Sequence, residues 1–315
     1  MSRLLKQPLV SVCIVTYNSA NYIRACLQGI KLQSWPNLKI IVVDNASSDN
    51  TVEIIDSIDL NVRIIANRDN MGFAGGQNQA ISSSSSDYVL VLNPDVVLDP
   101  DYVKKLVERL ELDSLLGSTT GCLTLADNPK LIDSTGLEMN WTRKAVERGA
   151  DQALDNYCEA CQVFGVSGAA AMYSRKMINE ISIEGQLFDE DFFAYKEDVD
   201  VAWRAGLLGW KAWYEPTAKG SHVRQWRVNS DRKQIALKIR RHSYQNRYLM
   251  ILKNERFNFR WWLRFPLLVA YEIALNGYFL TRDPKVLGVS WLNLFRLLPS
   301  AWRKRKLVQS RKIQH

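Results

Sequence analysis

Asp95 is the acid most plainly placed to do chemistry. It follows Tyr88-Val89-Leu90-Val91-Leu92-Asn93-Pro94. An apolar run stopped by proline reads as a strand buried on both faces. Asp95 then stands just past the carboxyl end of a central strand, where open α/β sheets take ligands. A carboxylate fixed there can hold a divalent cation against a diphosphate. The plainer reading of the same residues is a turn with a solvated acid. A second group of acids lies in Phe188-Asp189-Glu190-Asp191-Phe192-Phe193 and Glu197-Asp198-Val199-Asp200, close to Trp203. Acids crowded beside aromatics belong to sites with shifted titration, although a helix start also favours negative charge through its dipole. His222, one of 3 histidines, is structural unless another group points at it. Between these acids lies Asn70–Asn78, where Gly72, Gly75 and Gly76 allow backbone to approach a ligand and a following helix to offer its amides. No Gly-Lys-Ser/Thr follows, so it is not a Walker loop.

Strands and helices alternate around these residues. Leu9–Thr16 reads as a first strand, with Asn21 before a helix carrying Ile23, Leu27 and Ile30 on one face. Leu38–Val43 reads as a second strand ending at Asp44, and Val62–Ala66 as a third. A helix is expected over Pro100–Leu112. Val166–Tyr173 and Trp210–Tyr214 read as further strands. Residues 113–165, with recurrent Gly, Asn, Asp and Thr, are expected to be loop-rich and to shape an acceptor cleft. The alternation indicates a mostly parallel sheet with right-handed crossovers. The Gly-x-Gly-x-x-Gly dinucleotide fingerprint is missing, which argues against NAD.

The 315 residues suffice for one large domain and an appendage. Residues 1–220 hold 20 Lys+Arg against 29 Asp+Glu, and residues 221–315 hold 21 against 4. The basic part therefore calls for an anionic partner. The 5 cysteines form no framework, and Cys158-x-x-Cys161 lacks the further ligands that zinc requires. The first eight residues have no apolar core of a signal peptide, so a cytoplasmic location is expected.

Taken in order, Thr16-Tyr17-Asn18, Asp44-Asn45-Ala46-Ser47-Ser48-Asp49, Asn70–Asn78, Asn93-Pro94-Asp95, Phe188–Phe193, Glu197-Asp198-Val199-Asp200 and His222 resemble an inverting family 2 glycosyltransferase over about residues 8–260. Within that family they look most like bacterial rhamnosyltransferases of cell-surface polysaccharide assembly. The resemblance implies a GT-A fold, a Rossmann-like mixed and mostly parallel sheet. It implies that Thr16, Tyr17 and Asn18 line a nucleotide pocket, that Asp44 meets the base, and that Asn70, Gly75, Gly76 and Asn78 lie along the nucleotide-sugar. Asp95 takes the last acid of the Asp-x-Asp metal motif, with Asn93 in place of the first. His222 falls at a further metal or diphosphate ligand, with Mg²⁺ or Mn²⁺ as the ion. Asp198 falls on the catalytic base, with Glu197 as runner-up. Asp189, Asp191 and Trp203 are expected at the acceptor. The implied donor is dTDP-L-rhamnose, with UDP-sugars or other dTDP-hexoses as alternatives, and the acceptor a lipid-linked saccharide. A nucleotidyltransferase would need a Gly-rich basic signature after the first strand, which Thr16-Tyr17-Asn18 does not supply. A nucleotide-sugar-binding scaffold is the non-enzyme alternative.

The domains expected are a catalytic domain over 1–230, split into a nucleotide-sugar half (8–112) and an acceptor half (113–230), and a basic helical extension over 231–315. Residues 232–256 read as a cationic amphipathic helix. Leu267–Leu280 is shorter than the roughly 20 apolar residues of a membrane span and is interrupted by Glu272 and Asn276. Aromatics and arginines flank it, and Arg303-Lys304-Arg305-Lys306 follows. These features fit the inner membrane surface, contacted through residues 232–306. A packed helical subdomain or homodimer contact is the other reading. No nucleic-acid-binding motif accompanies the charge.

Overall fold

The computed structural model describes residues 7–224 and 236–311. Residues 232–235, the start of the expected cationic helix, and the expected domain boundary at 230 lie outside the described residues. The chain runs β1 (Val10–Thr16), α1 (Ile23–Lys31), β2 (Leu38–Asp44), α2 (Thr51–Asp56), β3 (Val62–Ala66), α3 (Gly72–Ser82), β4 (Tyr88–Leu92), β5 (Val96–Leu98) and α4 (Tyr102–Glu111). It continues through β6 (Leu116–Leu125), β7 (Asn128–Ser134), β8 (Leu137–Met139), β9 (Ala145–Glu147), β10 (Cys161–Val163), β11 (Ala170–Ser174) and α5 (Arg175–Ile181). Last come α6 (Glu197–Leu207), β12 (Lys211–His222), α7 (Leu237–Asn254), α8 (Phe259–Arg282) and α9 (Pro284–Gln309).

The main sheet has the order β10-β12-β6-β11-β4-β1-β2-β3. Strands β1 to β4 pair in parallel, and β11 enters antiparallel between β4 and β6. This is the mixed, mostly parallel sheet of the GT-A fold. Val89, Leu90, Val91 and Leu92 are all fully buried, so β4 is covered on both faces. Strand β1 aligns Thr16 with Asp44 and Ile14 with Leu92, so the chain ends that follow β1, β2 and β4 open on one edge.

Two expectations are corrected here. Residues 113–165 are not chiefly loop: β6 is ten residues long and pairs with β11, β12 and β7. Its glycines answer to packing rather than turning. A Cβ on Gly117 would lie 2.3 Å from Met177 Sδ, and one on Gly121 would lie 2.2 Å from the Ala218 carbonyl oxygen. Helix α7 is not a solvated amphipathic helix. Its Arg247, Lys253 and Asn254 are buried, because it lies between α6 on one side and α8 and α9 on the other. Glu272 and Asn276, polar breaks in the apolar run, face α7: Glu272 accepts from Arg247 and Tyr248, and Asn276 bonds both Tyr244 and Tyr248.

Candidate active site

The loops after β1 and β2 brace each other. Asp44 is buried and accepts from Thr16 Oγ1 at 2.8 Å, Ser47 Oγ at 2.6 Å and the Ser47 amide at 2.9 Å. Asn18, with a left-handed φ of 52°, accepts from the Ser48 amide. Tyr17 is left exposed at their mouth. Thr16 and Asp44 thus brace this corner from inside.

The glycine stretch is also corrected. Gly72, Gly75 and Gly76 lie inside α3 rather than in a loop before it. A Cβ on Gly76 would meet Val15 side-chain atoms at 2.8 and 2.9 Å, and one on Gly75 would meet Met71 Cβ at 3.1 Å. At Gly76 the missing side chain lets α3 sit directly on β1. Asn70 accepts from the Gly72 amide. Asn78 is held against Phe188, donating to its carbonyl at 2.8 Å and accepting from its amide at 3.0 Å.

The acids meet around the end of β4. The Asn93 amide donates to the Ala169 carbonyl at 2.9 Å, and the Gly168 amide donates to Asp198 Oδ2 at 3.1 Å. Asn93, two residues before Asp95, and Asp198, about a hundred residues later in the chain, therefore bond the same short backbone segment, Ser167–Ala169. A polar chain joins Asp95 to this segment a second way. His222 Nε2 lies 3.2 Å from Asp95 Oδ1, and Nδ1 lies 2.8 Å from Asp133 Oδ2. Asp133 Oδ1 pairs with Arg224 at 2.8 Å, and Arg224 approaches Glu147 at 3.7 Å. Glu147 accepts from Ser134 Oγ at 2.5 Å and Ser167 Oγ at 3.1 Å.

Titration follows from this packing. Burial opposes protonation of His222, but hydrogen bonds to Asp133 and Asp95 outweigh it and raise the imidazole to about 9. Burial pushes Asp198 above the usual carboxylate range, partly offset by the Gly168 and Val199 amides. Glu197 is raised by burial and by the Asp198 charge. Glu147 is raised to about 7 for the same two reasons. Lys196, beside these acids, is lowered by burial.

Asp133, Glu147, Ser167, Lys196 and Arg224 are site residues that sequence reasoning missed. Asp133 sits at the head of Asp-Ser-Thr-Gly, and Arg224 follows His222 by two. Neither spacing signals that Asp133 pairs with both His222 and Arg224.

Three expected acceptor residues lie elsewhere. Asp189 is buried between Lys253 and Lys304, both at 2.5 Å; against the cost of burial, these ammonium groups hold its carboxyl well below the usual range. Asp191 pairs with Lys304 at 2.6 Å and accepts from Ser300. Trp203 is buried, with the Arg143 guanidinium 4.6 Å from its ring centre. Acids next to aromatics here mark a seam with the C-terminal helices, because α7 and α9 bring the matching cations. The basic run Arg303–Lys306 is divided by the same seam: Lys304 points in, and Arg303 is exposed.

A divalent cation finds a partial donor set. Asp95 Oδ1 is a buried oxygen, and His222 Nε2 lies 3.2 Å from it. Among the described residues no group of three or more His, Cys, Asp or Glu is arranged to hold a metal. Oxygen ligands from a bound diphosphate would complete the shell, as hard cations commonly arrange with phosphates. The residues present fit an ion that arrives with its substrate.

A family model described as "Glycosyl transferase family 2" matches residues 11–182. The poly-β-1,6-N-acetyl-D-glucosamine synthase of Staphylococcus aureus (strain MSSA476) is 26% identical over 213 residues, 66% of this chain and 48% of that protein. The chain thus spans about half the length of the curated relatives it matches. Among solved structures, a mannosyltransferase of Pyrobaculum calidifontis in complex with GDP-Man and Mn²⁺ is similar at a TM-score of 0.57 and 18% identity, covering 93% of this chain and 76% of that one. S. aureus TarS 1–349 in complex with UDP-GlcNAc is similar at 0.57 and 17%, covering 91% and 79%.

Proposed function

The chain belongs to glycosyl transferase family 2, and from that premise we propose that it transfers a sugar from a nucleotide-diphosphate donor to a saccharide hydroxyl with inversion, Asp198 acting as general base. The observation that supports this reading is the segment Ser167–Ala169, which bonds both Asp198 and Asn93, two residues before Asp95. Single-displacement inversion needs a base opposite the leaving group, within hydrogen-bond reach of the attacking hydroxyl. Asp198 is held by two backbone amides. Its raised affinity for protons suits a base working nearer neutrality. It would take the hydroxyl proton as that oxygen attacks the anomeric carbon and the nucleotide diphosphate departs on the Asp95 side. Glu197 is the second carboxylate within reach of the role. A divalent cation, Mg²⁺ or Mn²⁺, held by Asp95 and by His222 in exchange for its Nε2 proton would offset charge developing on the departing diphosphate. Tyr17 and Asn18 stand at the mouth where the nucleotide would enter.

For the donor we propose dTDP-L-rhamnose, on the strength of the Asn93-Pro94-Asp95 variant. The names of the relatives favour a UDP-linked N-acetylglucosamine as the second reading. For the acceptor we propose a lipid-linked saccharide in cell-surface polysaccharide synthesis, reached at the inner membrane face. The extension leaves Trp262, Leu263, Leu267 and Ile273 of α8 and Phe295 and Trp302 of α9 exposed, with exposed Arg282, Lys285, Arg296 and Arg303 among them. Such a pattern suits an element lying in the interface. Among the described residues no helix is long and apolar enough to cross a membrane.

A donor panel tests the reading. With Mg²⁺ or Mn²⁺, dTDP-L-rhamnose at about 100 times its Kd should raise stability by about 2.7 kcal/mol, and release of dTDP should require the ion and stop in EDTA. A shift from UDP-GlcNAc alone would move the assignment to the second donor. Turnover of no nucleotide-sugar would sink the transferase reading for this chain.

A further inference from the structure

The turn that delivers the proposed base is built against its own preferences. Between the single helical turn Glu190–Phe192 and α6, Phe193, Tyr195 and Lys196 have φ of 62°, 72° and 68°. These left-handed conformations favour glycine, and none of the three is one. Glu197 and Asp198 follow at once, so any relaxation of this turn moves the carboxylates. Something must hold it.

Two elements do. On one side α3 abuts the turn: the Ala74 amide donates to the Phe193 carbonyl at 3.1 Å, and a Cβ on Gly72 would lie 2.5 Å from that oxygen. On the other side lies Asn246 of α7, fully buried. Its Nδ2 donates to the carbonyls of Phe192, Ala194 and Tyr195 at 2.9, 2.9 and 2.8 Å. The two Nδ2 hydrogens are thus shared among three carbonyls of the turn, of which that of Phe192 also accepts from the Ala194 amide at 2.7 Å. Its neighbour Arg247 grips the other loop of the site. It donates to the carbonyls of Arg143 at 2.6 Å and Thr142 at 2.5 Å, in the turn between β8 and β9 that leads to Glu147. The Phe193 ring stacks on His242, one helical turn earlier in α7, with centroids 5.1 Å apart.

We propose that Asn246 is a positioning residue for transfer. It fixes the left-handed turn that aims Glu197 and Asp198, which makes the C-terminal helices part of the catalytic apparatus and not only an attachment. The proposal rests on the transferase reading above. It assigns Asn246 an effect on the chemical step and none on donor binding, since the carbonyls it holds belong to the turn that leads directly into Glu197 and Asp198. Misplacement of a reacting group by about 1 Å costs on the order of 10²-fold in rate.

The test compares Asn246→Ala and Asn246→Ser with Asn293→Ala in the full chain. Asn293 also ties α9 to α7, through Gln245 at 2.7 Å, but holds no loop of the site. Turnover and calorimetric donor binding are measured at saturating metal, with the folded fraction checked by thermal melts. The expected result is a fall in kcat of on the order of 10²-fold for Asn246→Ala, a smaller fall for Asn246→Ser, donor Kd within about twofold of wild type, and near-wild-type kcat for Asn293→Ala. Wild-type kcat in Asn246→Ala would overturn the proposal. So would equal losses of kcat in Asn246→Ala and Asn293→Ala, or parallel loss of donor binding. Failure of both Asn246 variants to fold would place the residue in the fold and overturn it as well. Absence of turnover in the wild type would instead refute the transferase reading.

Discussion

At the scale of single residues, the site depends on carboxylates kept away from water. Glu147 shows the consequence most clearly, because burial and the Asp198 charge raise it to about 7 from an ordinary 4.5. A raised carboxyl favours the protonated fold, so its contribution to stability is complete below the unfolded value and is lost as pH rises through the folded one. Glu147→Gln removes that dependence. The Tm of the variant relative to wild type should therefore climb between pH 5 and pH 8, read by thermal melts across that range. His222 illustrates how one side chain gains meaning only through partners: flanked by Asp95 and Asp133 it links the acid at the end of β4 to Arg224, and no feature of the sequence pairs it with Asp133.

At the scale of elements, close approach of backbones decides the architecture, and glycine marks where it occurs. In β6 the Gly121 Cα faces both the Ala218 carbonyl and the Tyr102 ring, at 2.2 and 2.5 Å from a Cβ. Gly121→Ala should cost about 1–3 kcal/mol by overpacking, read as a lowered urea midpoint with an unchanged slope; a midpoint within error of wild type would show that β6 and β12 can part freely. The same strand was the hardest to foresee. Strands β1 to β4 were legible because short, unbroken apolar runs closed by turn residues suit a strand covered on both faces, and the ends of β1, β2 and β4 were located with them. Strand β6, rich in Ser, Thr and Gly, looked like loop because small polar residues in a buried strand carry the same letters as a turn. The glycines of α3 misled in the same way: composition cannot say whether a missing side chain makes room for a ligand or for Val15. Asp189 and Asp191 were legible as unusual acids but not as partners of Lys253 and Lys304, since those cations arrive from 64 and 113 residues away.

At the scale of the whole molecule, the charge imbalance between the two parts of the chain is partly consumed inside it. Lys253, Lys304 and Arg247 of the basic part are buried against acids of the fold or of α8, and what remains exposed is an apolar surface with arginines and lysines around it. With vesicles containing anionic lipid, the full chain should co-float, and Trp262→Glu combined with Phe295→Glu should lower bound protein severalfold while donor turnover on a soluble acceptor persists. Undiminished flotation of that variant would refute the membrane assignment, and a dimer that the variant converts to monomer would assign the surface to a second copy. The central claim is that residues from both halves of the catalytic fold converge on one reaction centre, with Asp198 taking the proton. Asp198→Asn tests it most directly, by steady-state turnover set beside calorimetric donor binding. The account predicts a turnover loss of about 10²–10⁴-fold, the usual contribution of a general base, with donor affinity within about twofold of wild type. Turnover within threefold of wild type would contradict it.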